Sequence, residues 1–277
     1  MEYKFLGNTG IKVSKLAFGT LTISPLQRDL KLNDSLKVLN KAIDLGINFF
    51  DTADGYSNYK HLNNLLKIVD RKDIVISSKT YAYNKIQAKN DLNKALNKIG
   101  TDYIDIFMLH EQVNEMTIKG HWEAIKYLLK MKKQGKIRAI GMSTHFISGV
   151  KAFNKYDQLE ILHPIINKKG IGICDGNINQ MIDELKKVDK SKGIFAMKAL
   201  AGGNLLNSID EAFDFILSLD FLDSIAVGMQ NSLEVKYNVK RFDGVIDKNL
   251  KNKLSLQNRK IIIGSWCIGC GKCIKAC

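Results

Sequence analysis

The chain has 277 residues, of which 45% are hydrophobic and 25% charged, and its 42 Lys and Arg against 28 Asp and Glu give a formal charge of +14. Such a length fits one domain of about 250 residues with a short tail; no apolar run approaches the ~18 residues of a membrane span, and the start, Met1-Glu2-Tyr3-Lys4-Phe5-Leu6-Gly7, has no leader pattern, so a cytoplasmic protein with no membrane partner is expected. The cations are spread along the chain without an aromatic-interleaved patch, which argues against nucleic acid and leaves a diffuse field favouring an anionic cofactor or substrate.

Taken in chain order, Gly7-Asn8-Thr9-Gly10 lies between two short extended pieces within residues 1–13, which predicts a hairpin. Short β-branched runs then alternate with helical patterns eight times. The strands are predicted at residues 15–19, 47–51, 74–79, 104–110, 137–143, 159–167, 193–200 and 224–228, and helices between them at 34–45, 85–99, 122–134 and 179–188. Gly46, Gly100 and Gly135 each follow a helical run and suit a left-handed C-cap. Eight strand-helix units within about 225 residues fit a closed (β/α)8 barrel, an α/β fold, better than an open doubly wound sheet, which usually has fewer strands and a Gly-rich first turn. Residues 1–242 are assigned to this barrel, with the hairpin expected to plug its bottom, and residues 243–277 to a helix and a cysteine-rich tail.

In a parallel barrel the functional face lies at the C-terminal strand ends. Asp51, Lys79 and His110 end the second, third and fourth predicted strands, and Tyr56 follows in the loop after Asp51. Singly, each has an ordinary structural explanation: a helix cap, a solvated ammonium, a packed ring. Together they are chemically complementary. A neighbouring ammonium lowers a phenol's pKa by favouring the phenolate, a carboxylate orients the ammonium, and an imidazole can bond a carbonyl oxygen. Such a set can give a proton to a carbonyl during hydride reduction.

The segment Asp51-Thr52-Ala53-Asp54-Gly55-Tyr56, with Ser77-Ser78-Lys79 and Leu109-His110 downstream, resembles the aldo-keto reductases, and the likeness runs from Phe5-Leu6-Gly7-Asn8-Thr9-Gly10 to about Phe242. The resemblance implies a (β/α)8 barrel that uses NADPH or NADH without a Rossmann domain and acts on a small-molecule carbonyl substrate. It implies Tyr56 as general acid, Lys79 and Asp51 as its tuning pair, and His110 as the group orienting the substrate. On the cofactor side it implies Gly19, Thr20, Asp51 and Ser143, then Lys198, Leu200 and Gly203 in a loop over the pyrophosphate. Gly228, Gln230, Glu234 and Asn238 would follow at the adenine end; Glu234 and Asn238, four apart, share a helix face.

Three features depart from the family pattern, one being that the Glu and Gly usual after the tyrosine loop are absent from Tyr59-Lys60-His61-Leu62-Asn63-Asn64-Leu65-Leu66. Gln230 stands where NADP-preferring relatives often carry a basic residue, so the 2′-phosphate loses its counter-charge. His163 stands where the family often has a Gln that bonds the nicotinamide amide.

The tail, Cys267, Cys270, Cys273 and Cys277, has the spacing C-x2-C-x2-C-x3-C of a ferredoxin-type [4Fe-4S] ligand set, with a four-cysteine zinc site as the alternative. Some aldo-keto reductase relatives carry a ferredoxin-like extension in which Pro and a helical segment follow this motif. The run here stops at Cys277, so a truncated tail is expected. The cysteines open a second reading: a nicotinamide-binding barrel that senses redox state or passes electrons to a partner. Cys174 is expected to be a small packing or loop residue.

Overall fold

The computed structural model describes residues 1–255 and 268–271. The antiparallel hairpin is β1 (Tyr3–Phe5) and β2 (Lys12–Ser14), with Tyr3 opposite Ser14. Gly7, at φ +49°, lies so near the chain below the barrel that a Cβ would sit 2.4 Å from the Ser191 carbonyl oxygen. Only glycine allows both the turn and that approach.

Eight parallel strands then close on themselves: β3 (Leu16–Gly19), β4 (Phe49–Asp51), β5 (Val75–Thr80), β6 (Ile104–Leu109), β7 (Ile137–Thr144), β8 (Ile161–Pro164), β9 (Gly193–Ala196) and β10 (Ser224–Gly228), the last pairing with β3. Outside them lie α1 (Leu32–Asp44), α2 (Tyr59–Leu65), α3 (Lys85–Ile99), α4 (Glu115–Gly120), α5 (Trp122–Lys133), α6 (Ile147–Phe153), α7 (Ile178–Leu185), α8 (Ile209–Leu217), α9 (Ser232–Phe242) and α10 (Lys248–Ser255). The protein is a (β/α)8 barrel.

Strand periodicity explains how the barrel fills. Alternate residues such as Phe49, Ile106, Met108 and Phe195 point inward and pack with Leu6, Ile11 and Val13 of the hairpin segment, which therefore plugs the floor. The intervening residues, among them Phe50, Phe107 and Ile140, face the helices in a second, larger core. The predicted helix stops hold, with φ +88° at Gly46, +76° at Gly100 and +74° at Gly135.

The sixth and seventh barrel strands are shorter than the sequence predicts. β8 ends at Pro164, after which only an isolated bridge joins Ile165 to Met197. β9 ends at Ala196, and Lys198, at φ +59°, turns the chain out of the sheet. The apolar patterns continue past both strand ends, but the barrel ends pairing where the loops of its mouth begin.

No described helix is long and apolar enough to cross a membrane.

Candidate active site

Register places the strand ends side by side. Gly228 pairs with Gly19, Gly19 with Asp51, and Asp51 with Ser77, while Ser143 pairs with His163 across the barrel. Gly228 must lack a side chain, since a Cβ would approach Thr22 Cγ2 to 2.2 Å. Ser77 and Lys79 are two apart on β5 and so share its inner face.

Asp51 and Lys79 form a buried pair, exposed by 4% and 1%. Lys79 Nζ donates to both Asp51 oxygens at 2.7 Å and to the Thr52 carbonyl at 2.9 Å, and Ser77 Oγ donates to Asp51 Oδ1 at 2.7 Å. Burial alone would raise the Asp51 pKa, but Lys79 and His163 outweigh it and hold the carboxyl well below the usual range. Burial also pulls Lys79 down, against the opposing charge of Asp51.

Tyr56 ends a short 3-10 turn after β4. Its ring lies 5.3 Å from Lys79 Nζ and meets His110 edge-on at 5.9 Å between centroids. Its phenol is pushed up, by burial first and then by Asp51 and Glu111. This is the reverse of the shift that a bare ammonium would cause. The physical reason is that Lys79 is already neutralised by Asp51, so Tyr56 experiences burial and negative charge more than it experiences the cation.

His110, following β6, is 8% exposed, and its Nδ1 is buried with no hydrogen-bond partner. Burial, reinforced by Lys79, pushes its pKa down to about 3. The imidazole is therefore neutral at neutral pH and retains unused hydrogen-bonding capacity. Among the sequence-derived candidates, Asp51, Tyr56, Lys79 and His110 thus come together in one cluster.

Thr20 and His163, named from the sequence on the cofactor side, join the cluster, and with them come Asn58, Tyr81 and Glu111, which the sequence did not single out. Thr20 Oγ1 donates to the Asp51 carbonyl at 2.8 Å, and Asn58 Nδ2 donates to Thr20 at 2.9 Å while Asn58 Oδ1 accepts from Thr52 Oγ1 at 2.6 Å. These bonds fix the loop that carries Tyr56. Tyr81 stacks on His110 at 4.5 Å and donates its hydroxyl to Glu111 Oε2 at 2.7 Å. The signal available for Glu111 was its position directly after a strand-end histidine, which places it at the same mouth. His163 donates Nδ1 to the Phe195 carbonyl at 2.6 Å and keeps Nε2 3.7 Å from Asp51 Oδ2, so it belongs to the charged cluster as much as to a cofactor face.

The remaining candidates line the rim. Ser143 is fully buried and its Oγ accepts from Glu111 N at 2.8 Å. Lys198, Ala201, Gly202 and Gly203 all take positive φ, a backbone able to turn N–H groups toward an anion. Leu200 lies within that loop. Asn231 caps α9 by accepting from Leu233 N and Glu234 N. Glu234 in turn accepts from Gln230 N at 2.7 Å and Asn231 Nδ2 at 3.1 Å, and Asn238 is buried one turn further on.

Cys267, Cys273 and Cys277 lie outside the described residues. Cys270 is exposed, and among the described residues no group of His, Cys, Asp and Glu could hold a metal ion. Cys174 is an exposed loop residue. Two cavities, of about 340 Å³ beside Asn8 and Lys192 and about 530 Å³ beside Lys41 and Lys236, lie away from the cluster.

Comparison with known proteins bears on the family and the fold. Residues 15–216 match the model of the Aldo/keto reductase family. The chain is 30% identical over 154 residues to an L-galactose dehydrogenase of Arabidopsis thaliana, covering 52% of this chain and 48% of that protein. It is 27% identical over 184 residues to an NADH-specific methylglyoxal reductase of Escherichia coli, covering 57% and 56%. The matched region thus spans about half the length of these curated relatives. Among solved structures, a candidate aldo-keto reductase from Pseudomonas aeruginosa superposes with a TM-score of 0.72 at 26% identity, covering 86% of this chain and 93% of that one.

Proposed function

The chain belongs to the aldo/keto reductase family, and from that premise we propose that it reduces an aldehyde or ketone to the alcohol, with NADH as hydride source and Tyr56 as proton donor. The observation that carries this reading is the buried Asp51–Lys79 pair beneath a protonated phenol and a neutral imidazole.

The donor set suits a dinucleotide. The Ser143 hydroxyl keeps its hydrogen for an acceptor such as a nicotinamide carbonyl, and His110 Nδ1 is a buried polar atom without a partner. The positive-φ loop from Lys198 to Gly203 suits phosphate oxygens. At the far end, Gln230 is uncharged, Glu234 is anionic, and Arg241 is held by Asp210 and Asp214. Neither Gln230 nor Glu234 offers a 2′-phosphate a counter-charge, which favours NADH over NADPH. The Escherichia coli relative named for NADH specificity is in line with this choice.

Bound there, the cofactor would supply hydride to the carbonyl carbon. Tyr56 would then protonate the oxygen, because an alkoxide is a stronger base than a phenolate. Its raised pKa keeps the proton in place until that base develops. Asp51 holds Lys79 Nζ 5.3 Å from the ring, beside the phenolate that proton transfer leaves on Tyr56. His110, uncharged, bonds the carbonyl oxygen without competing as an acid.

Fluorescence quenching with NADH and NADPH, followed by cofactor oxidation in the presence of small aldehydes such as methylglyoxal, tests the proposal. Binding of NADH with turnover is the expected result. Absence of binding by either cofactor rejects it. The reading is independent of the cysteine run.

A further inference from the structure

Glu111 occupies an unusual place. It follows His110 at the mouth, holds φ at +52°, and is anchored by its own N–H donating to Ser143 Oγ at 2.8 Å. A non-glycine residue seldom adopts this conformation, so the surrounding structure fixes it there. The only hydrogen bond to its carboxylate among the described residues is the Tyr81 hydroxyl on Oε2, and no described Lys, Arg or His nitrogen lies within 4.0 Å of it.

The balance of charge around it is simple. Asp51 and Lys79 cancel as a contact pair. His110 and His145, pushed down to about 3 and about 4 chiefly by burial, are uncharged at neutral pH. Among the described residues Lys198 is the remaining nearby cation, and it sits in the loop assigned above to the cofactor phosphates. Glu111 therefore has no contact ion pair among the described residues and, with Lys198 engaged by the phosphates, leaves a negative charge near Tyr56. Tyr81, 53% exposed and stacked on His110, offers its outer face as a flat wall next to this charge.

We propose that Glu111, held by Tyr81 and Ser143, makes this mouth select uncharged carbonyl substrates and reject those that carry a carboxylate. This rests on the reductase reading above and assigns Glu111 as a specificity residue, not as part of the proton transfer.

The test compares 4-nitrobenzaldehyde with 4-carboxybenzaldehyde, which share shape and an electron-poor carbonyl and differ in charge. In the native protein kcat/KM favours the nitro compound by about tenfold, the order expected for one partly screened charge at close range. Glu111→Gln retains an acceptor for the Tyr81 hydroxyl and shrinks that ratio at least about fivefold by improving the carboxylate substrate, and Glu111→Lys inverts it. Raising NaCl from about 0.02 to about 0.5 M shrinks the ratio in the native protein and leaves it unchanged in Glu111→Gln, which a purely structural role would not do. The inference is overturned if the native protein uses both aldehydes equally, or if Glu111→Gln lowers the melting temperature and leaves the ratio as it was. A native protein that binds neither nicotinamide cofactor and reduces neither aldehyde rejects the reductase reading itself, and this inference with it.

Discussion

The mouth and the floor of the barrel both bury charge, and they finish the job differently. At the floor, Asp105 is fully buried and meets Arg71 Nη2 at 2.6 Å, Arg138 Nη1 at 2.6 Å and Ile76 N at 2.9 Å. The network ends there, because the guanidinium groups reach solvent and neighbouring carbonyls. At the mouth, Asp51 is as well partnered, but the layer above it is not closed: Tyr56 is pushed up, His110 Nδ1 has no partner, and Glu111 is held by one phenol. The backbone divides in the same way. Helix ends at the floor place glycine at positive φ, whereas all five described non-glycine residues with positive φ, Asp29, Ser57, Glu111, Lys198 and Ala201, sit in the loops of the mouth. Strain and unused hydrogen-bonding capacity are concentrated where a ligand can relieve them.

If that division is real, substitutions should separate stability from activity. Tyr56→Phe should lower turnover about 100- to 10,000-fold while NADH binding and the melting temperature stay close to native, as measured by cofactor oxidation, fluorescence quenching and calorimetry. A large loss of stability would break the comparison. Asp105→Ala should do the reverse and cost about 3 kcal/mol in urea unfolding, with kcat/KM retained at temperatures where the variant is folded.

Acid should affect the mouth first. In the unfolded chain His110 takes up a proton below about 6.5, while in the fold it does so only near 3, so between these values the unfolded state binds more protons. Stability is therefore lost as pH falls through that window, by up to about 1.4 kcal/mol per pH unit from His110 alone. Lys15, at the floor, bonds the Leu222 carbonyl at 2.7 Å and is lowered to about 8, by burial first and then by Lys4. The unfolded state again binds more protons between about 8 and 10.5, so stability rises with pH across that range. Denaturation from pH 4.5 to about 9.5 should show both slopes, and Lys15→Met should remove only the alkaline one. The smallest expected change is at the adenine end: Gln230→Arg should tighten NADPH about fivefold with NADH little affected, read by the same quenching titration.

The alternation of β-branched runs with helical patterns was enough to give eight strand-helix units, and the chirality of such units sends every strand's C-terminal end to one face. Asp51, Lys79 and His110 could therefore be placed together from their positions alone. The glycine stops at 46, 100 and 135 were equally legible, because a left-handed residue after a helix is a local requirement. What the sequence could not supply was anything set by contacts across the barrel. The direction of the Tyr56 shift depends on Lys79 being neutralised by a carboxylate 28 positions away, and the role of Glu111 depends on Tyr81, 30 positions away, lying over His110. The shortness of β8 and β9 was hidden for the same reason. Periodicity records which face of a segment is buried; barrel closure decides which buried groups meet, and those meetings determine the charge and proton state of the site.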